Sequence, residues 1–276
     1  MKVPKEINYI EAYLTLRCNL NCPYCINDFK KVKRKRDEIG EWANGLNRFE
    51  TDIPITLGGG EPTLHKDFYK IVKNIKPTLK LDLLTNLQFD EDEFIKNCKG
   101  RFNWGEGAYK NIRVSYHPSQ QNPEKLINKI IKLQKYFKIG LFGINHPENI
   151  EANIKMAELA RKNQIYFFIK DFLGEYDGKL FGYYKYPAGL NGRPKKALCR
   201  TKEILIDPEG DVYRCHRDLY SKENPIGNIL DTNWKPEFKF RECNNYGNCN
   251  PCDIKLKTNR FLQSGICQVE IKEKNR

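Results

Sequence analysis

Through the first 170 residues, short apolar blocks alternate with stretches whose apolar positions recur at helical spacing. Ile7, Tyr9, Tyr13, Leu14 and Leu16 predict a buried first strand within residues 6–16. A charged segment running to about Phe49 reads as a helix, with Gly40 and Gly45 as breaks, and Ile53 to Leu57 reads as the second strand. Asp67 to Lys76 then predicts a helix with Phe68, Ile71, Val72 and Ile75 inward, followed by a strand from Leu79 to Thr85. The pattern continues with helix Asp90–Cys98, strand Ile112–Tyr116, helix Glu124–Phe137 and strand Ile139–Ile144. It ends with helix Ile150–Asn163, whose apolar side carries Ile154, Ala157, Leu159 and Ala160, and with strand Ile165–Ile169. Alternation of this kind implies an α/β fold with parallel strands and right-handed crossovers, its site at the carboxyl edge of the sheet.

Beyond residue 170 the pattern changes. Residues 171–198 are rich in glycine, tyrosine and lysine and read as a linker or mobile loop. Ile204-Leu205-Ile206 and Val212-Tyr213 then flank Asp207-Pro208-Glu209-Gly210-Asp211, a turn composition that predicts a hairpin bracketed by Cys199 and Cys215. The expected organisation is a first unit over 1–170, a connecting segment over 171–198 and a smaller unit over 199–276.

Composition narrows the class. A chain of 276 residues with 39% hydrophobic content can bury a core without staples. Its mean hydropathy is negative, no long apolar run suggests a membrane span, and Met1 to Glu6 lacks the apolar centre of a signal peptide, so a cytoplasmic protein is expected. In a reducing compartment, ten cysteines read as metal ligands or redox groups rather than disulfides. The formal charge of +13 favours anionic partners without choosing among them. The densest basic run, Lys30 to Arg36, is read as the solvated start of a helix.

Chemistry enters with Cys18, Cys22 and Cys25, spaced C-x3-C-x2-C at the end of the first strand. Three thiolates on one short loop can hold three irons of a cubane and leave the fourth open, whereas a structural zinc site takes four ligands. A zinc knuckle or incidental buried thiols are the alternatives on spacing alone. After the second strand comes Leu57-Gly58-Gly59-Gly60-Glu61-Pro62-Thr63. Together, the cysteine loop with Tyr24 before its third cysteine and this Gly-Gly-Glu-Pro stretch resemble the motifs of the radical SAM enzymes. The resemblance implies a partial (β/α)6 TIM-like barrel and a [4Fe-4S] cluster on the three cysteines. S-adenosylmethionine would bind at the open iron and be cleaved reductively, giving a 5′-deoxyadenosyl radical that takes hydrogen from substrate. It also implies cofactor contacts from Tyr24, from the backbone of Gly59 and Gly60 with Glu61 beside them, and from Ser115 and Asn145 at the ends of the fourth and fifth strands. A flavodoxin- or ferredoxin-type reductant follows from the same resemblance.

The arrangement Cys199-x10-Gly210-x4-Cys215 followed by Cys243, Cys249, Cys252 and Cys267 looks like the auxiliary-cluster extension called SPASM, or its shorter form, twitch. It departs from full SPASM: Phe240 stands where a cysteine is expected, and the last spacing is x2. The preferred ligand set for one auxiliary [4Fe-4S] cluster is Cys199, Cys215, Cys249 and Cys252, with Cys243 and Cys267 as additional candidates. Two auxiliary clusters sharing six thiolates and a four-cysteine zinc site are the alternatives. Cys98 is expected to be a buried hydrophobe. Where many relatives continue with Leu-Asp-Gly, this chain has Tyr116-His117-Pro118, which makes His117 a candidate catalytic proton acceptor or substrate ligand; the alternative is a turn residue. His216 is a candidate for tuning the auxiliary cluster.

The leading functional expectation is oxidation or modification of a small molecule or peptide, with an anionic substrate in keeping with the charge. Only 17 residues precede Cys18, so the winged peptide-recognition domain of many peptide modifiers is not expected. An RNA-modifying radical enzyme and a non-enzymatic iron–sulfur or zinc nucleic-acid-binding protein are the alternatives.

Overall fold

The computed structural model describes residues 1–25, 38–105, 109–258 and 264–273. The basic run Lys30 to Arg36 lies outside them. In chain order the first unit comprises β1 (Tyr9–Thr15), α1 (Trp42–Leu46), β2 (Ile55–Gly59), α2 (Phe68–Asn74), β3 (Leu81–Thr85) and α3 (Glu91–Cys98). It continues with β4 (Ile112–Ser115), α4 (Pro123–Leu133), β5 (Ile139–Asn145), α5 (Ile150–Lys162) and β6 (Phe167–Asp171). All six strands pair parallel in the order β1-β2-β3-β4-β5-β6, the partial TIM-like barrel expected from the alternation. The segment over 171–198 is more structured than a linker: it carries the hairpin β7 (Gly174–Tyr176) and β8 (Lys179–Phe181) and the start of β9 (Lys195–Thr201).

The predicted hairpin is present as β10 (Glu203–Ile206) and β11 (Asp211–Tyr213). It also extends the main sheet, because β10 lies parallel beside β1, with Ile10 opposite Ile204, and β12 (Gly227–Asn228) pairs outside β11. Between them runs α6 (His216–Ser221). The chain ends with β13 (Arg241–Tyr246), α7 (Pro251–Ile254) and β14 (Val269–Glu273); β13 and β14 flank β9 in a three-stranded antiparallel sheet.

The pleat sorts the side chains. Ile10, Ala12 and Leu14 of β1, Ile55 and Leu57 of β2, Leu81 and Leu83 of β3, and Ile112 and Val114 of β4 pack with the helices in one continuous apolar core. The period of two sends Tyr9, Glu11, Thr56, Asp82 and Arg113 to the opposite, concave face. Glu11, Thr56 and Asp82 are buried there, so the barrel interior is polar and titratable instead of greasy.

Two local departures have physical causes. Gly45 does not break a helix but sits inside α1, because a Cβ there would lie 2.6 Å from Ile229 Cδ1. On α5 the buried face is Asn153, Met156 and Ala160, while Ile154 is 55% exposed. Asn153 turns inward because its Nδ2 donates to the Ile144 carbonyl at 2.9 Å and closes the end of β5. Cys98, fully buried in the helix-side core, is the hydrophobe the sequence suggested. Replacing it with alanine is expected to lower stability by about 1 kcal/mol through lost packing. Iron content after reconstitution should not change, which thermal melting and metal analysis on the same samples would check.

Candidate functional site

The cysteine loop leaves the carboxyl end of β1 and is tied down by neighbours from three other strand ends. Cys18 Sγ accepts from Leu20 N at 3.4 Å, and Cys22 Sγ accepts from Gln120 Nε2 at 3.4 Å. Gln120 Oε1 also accepts from Asn21 N, at 2.6 Å. Asn86, just past β3, donates through Nδ2 to Asn19 Oδ1 at 2.7 Å, and its carbonyl accepts from Gln121 Nε2 at 2.7 Å. None of Asn86, Gln120 and Gln121 stood out in the sequence, because each acts across 35 residues or more.

The glycine stretch fits against this loop so closely that side chains are excluded. Gly60 N donates to the Thr15 carbonyl at 2.9 Å and Glu61 N to the Arg17 carbonyl at 2.8 Å. A Cβ on Gly60 would stand 2.1 Å from the Arg17 oxygen, and one on Gly59, whose φ is +125°, 2.2 Å from the Thr15 oxygen. Glu61 is 1% exposed, and donors surround its carboxylate. Oε1 accepts from Thr63 Oγ1 at 2.6 Å and Thr85 Oγ1 at 2.9 Å, and Oε2 accepts from Asn86 N at 2.7 Å. Burial raises the Glu61 carboxyl, while these hydrogen bonds oppose the shift. Glu61 therefore clamps the end of β2 to the end of β3, a bracing task that leaves it little capacity for a ligand ammonium.

The remaining sequence candidates fall on the same edge. Ser115 ends β4 half-buried and Asn145 ends β5 exposed, opposite Asp171 on β6. Tyr24 Oη lies 3.2 Å from His117 Nδ1, and the Tyr24 ring packs against His117 and His146 at centroid distances of 5.8 and 5.1 Å. Burial, then the charge of Lys170, pushes His117 down to about 4, so it is a neutral imidazole near pH 7.

The donor set fits a cubane with one open iron. Burial, then the nearby Cys25 and Cys18 thiols, pushes the Cys22 thiol up to about 12. Such crowding suits three sulfurs that share one cationic group, since a bound metal displaces thiol protons.

A second cavity lies between β9, β13 and α6. Cys199, Cys215, Cys243 and Cys249 line it together with Arg214 and Asp218. Cys252, in the ligand set that the twitch resemblance implies, is not among the residues that line it. Arg241 pairs with Cys199 and Cys243 with Ala197, so Cys199 and Cys243 are diagonal neighbours on one face of an antiparallel ladder and hydrogen-bond through their thiols. That contact raises the Cys199 thiol and lowers that of Cys243. Cys252 instead sits buried in the first turn of α7, within electrostatic reach of Lys170, His216 and Lys257. Cys267 is also buried, its Sγ 3.8 Å from the Asp253 carbonyl. His216 stands beside Cys215 with Nδ1 2.7 Å from Asp253 Oδ1; burial disfavours its charge, but Asp253 prevails and raises it to about 10. Four convergent thiols fit a tetrahedral or cubane metal group.

A parallel partial barrel with a three-cysteine loop braced by a glycine-rich strap at its carboxyl edge is the architecture of radical enzymes that use S-adenosylmethionine. The sequence profile of the Radical SAM superfamily matches residues 13–173, and the chain belongs to that superfamily. It is similar to a GTP 3′,8-cyclase of Campylobacter jejuni subsp. doylei, 25% identical over 167 residues that cover 58% of this chain and 49% of the relative. The match thus spans about half the length of that relative. A probable GTP 3′,8-cyclase of Methanocella arvoryzae is 27% identical over 248 residues, 76% of this chain and 74% of that protein. Among solved structures the fold is similar to Streptococcus suis SuiB bound to its precursor peptide SuiA, with a TM-score of 0.57 and 14% identity over 82% of this chain and 63% of SuiB. It is similar also to anSMEcpe with bound AdoMet and the Kp18Cys peptide, with a TM-score of 0.55 and 16% identity over 81% of this chain and 78% of that one. Identities this low speak for the fold alone. No helix among the described residues is long and apolar enough to cross a membrane.

The bracing makes a direct prediction. Gly59→Ala is expected to cost about 1–3 kcal/mol, because alanine must either adopt the positive φ or move the β1 end. Because the strap then shifts against Thr15 and Arg17, iron bound after anaerobic reconstitution should fall along with the melting temperature. An unchanged melting point with full iron would show that the close approach is not required.

Proposed function

We propose that this chain is a radical SAM enzyme that takes a hydrogen atom from a small-molecule or peptide substrate held in the polar concave face of the sheet, with an auxiliary [4Fe-4S] cluster in the C-terminal cavity. The reading is carried by the cysteine loop, which presents Cys18, Cys22 and Cys25 at a strand end that Glu61, Asn86 and Gln120 hold in place. When bound there, a [4Fe-4S] cluster and S-adenosylmethionine supply an electron and a carbon radical able to abstract hydrogen.

The chain's own residues do the rest. Cys18, Cys22 and Cys25 hold the cluster, and the N–H···S contacts from Leu20 and Gln120 tune it. The Gly59–Gly60 backbone fixes the wall beside it, and Ser115 and Asn145 offer polar contacts at the next strand ends. Tyr24 of the cysteine loop contacts neutral His117, whose imidazole is a hydrogen-bonding group for substrate and, with its charged form disfavoured by burial and by Lys170, a weak proton acceptor. Cys199, Cys215, Cys243 and Cys249 hold the second cluster in a twitch- or SPASM-like unit beginning near residue 199. His216 and Asp253 brace α6 against α7 beneath it. A flavodoxin- or ferredoxin-type protein is the proposed electron donor.

The names of the curated relatives favour a second reading, in which the substrate is GTP and the product a cyclised nucleotide.

Anaerobic reconstitution, reduction with dithionite and addition of S-adenosylmethionine should yield 5′-deoxyadenosine, with about eight irons per chain. The triple variant Cys18→Ala/Cys22→Ala/Cys25→Ala should form none and keep about four irons. Fully clustered protein that makes no 5′-deoxyadenosine would refute the enzyme reading. Four irons together with one zinc in the native chain would replace the auxiliary cluster by a zinc site. Adding GTP to the same assay and looking for a cyclised product decides the second reading.

A further inference from the structure

Three of the cations on the concave face have a carboxylate in direct ion-pair contact, and one does not. Asp82 pairs with Arg113 (Oδ2 to Nη2, 3.5 Å), Glu203 with Lys257 (2.7 Å) and Asp253 with His216 (2.7 Å). Glu11 is buried in mid-strand, hydrogen-bonded with Tyr9, and faces His216. Lys170 is left over. Among the described residues it makes no ion pair, and its ammonium rests 4.8 Å from the centre of the Phe142 ring.

Register fixes where this charge stands. Ser115 pairs with Phe142 and Phe142 with Phe168 in one inward row, and Lys170 pairs with Ile144 one inward position nearer the carboxyl edge. There its charge acts on His117, which touches Tyr24 of the cysteine loop, and is within reach of Cys252 in α7 and Lys255 just past it. Lys170 thus stands on the concave face at the carboxyl edge, within electrostatic reach of the imidazole that touches the cysteine loop and of α7. Lys170 is half-buried; desolvation, then the like charges of Arg113 and Lys255, holds its ammonium down to about 7, with Cys252 and Glu11 opposing the shift. Arg113 adds a buried Nε with no hydrogen-bond partner to the same face. An ammonium held close to other cations with no direct ion-pair partner is costly in a folded chain, and an anionic ligand would relieve that cost.

We propose that Lys170, with Lys255 beside it, receives an oxyanion of the substrate, a carboxylate or a phosphate, on the concave face at the carboxyl edge of the barrel. This rests on the reading of the concave face as the substrate chamber. It sharpens that reading by requiring a negatively charged substrate and by fixing which end of it points toward β6. A single ammonium–oxyanion contact in a partly desolvated site anchors without touching the reacting carbon, so Lys170 is a binding residue.

The test is calorimetric titration of the anaerobically reconstituted full chain, loaded with S-adenosylmethionine, against inorganic phosphate and, separately, succinate. At least one of the two should bind at one site per chain; the tighter one tells a phosphorylated substrate from a carboxylate. Lys170→Met should weaken that binding by about tenfold or more, and Lys170→Arg should restore most of it. Lys66→Met, which removes an exposed lysine elsewhere, should leave it at the wild-type value. Equal weakening by Lys170→Met and Lys66→Met would reduce the effect to the general positive field and overturn the proposal, as would failure of both anions to bind. Matching iron content and circular dichroism across the variants exclude misfolding, and Lys170→Arg keeps the outcome decisive if the methionine variant is unstable. Formation of 5′-deoxyadenosine by the same wild-type preparation judges the radical reading separately, so the two can fail independently.

Discussion

The buried carboxylate of Glu61 is the interaction on which the site depends. Placing an acid where it is 1% exposed is costly, and the cost is met by hydrogen bonds from Thr63, Thr85 and Asn86. Those bonds join the end of β2 to the end of β3. From that clamp, Gly59 and Gly60 lie against the backbone leaving β1, and Asn86 reaches the cysteine loop through Asn19. The cysteine loop is therefore held through Asn86 by a carboxylate on the neighbouring strand end.

A second constraint follows from the pleat. With an apolar core against the helices, the period of two sends every other residue of each strand to the concave face, and this chain places Glu11, Thr56, Asp82, Arg113 and Lys170 there. A chamber so lined suits a charged substrate held by a few directed contacts. The C-terminal strands then extend the same sheet, since β10 pairs with β1, so the second cysteine cluster is carried on the frame that carries the first.

The sequence was informative wherever one short stretch carried the whole signal. The alternation of strands and helices from β2 onward, the cysteine loop, the glycine strap and the turn between β10 and β11 are local patterns, and each appears in the structure near its expected limits; of the helix expected up to Phe49, the described residues show α1 alone. What escaped is non-local. The resemblance to twitch domains groups Cys252 with Cys249; in the structure Cys252 is buried in the first turn of α7, and the β9–β13 ladder sets Cys243 beside Cys199, a neighbour that only strand register reveals. Ile154 looked like a core residue until Asn153 claimed the inward face of α5 to satisfy the Ile144 carbonyl. The last strand of the barrel extends two residues further than its apolar run, which is what makes Lys170 part of the concave face. Gln120 and Gln121 gave no signal because a glutamine in a loop has none until its partner is known.

The most direct test of the central claim is electron paramagnetic resonance of the dithionite-reduced chain before and after S-adenosylmethionine, in wild type and in Glu61→Ala. The account predicts that the wild type gives a reduced [4Fe-4S] signal whose g values shift when S-adenosylmethionine is added. In Glu61→Ala the signal from the cysteine-loop cluster should be diminished or should no longer respond. A variant whose spectra match the wild type before and after addition would contradict the claim that this buried carboxylate organises the site.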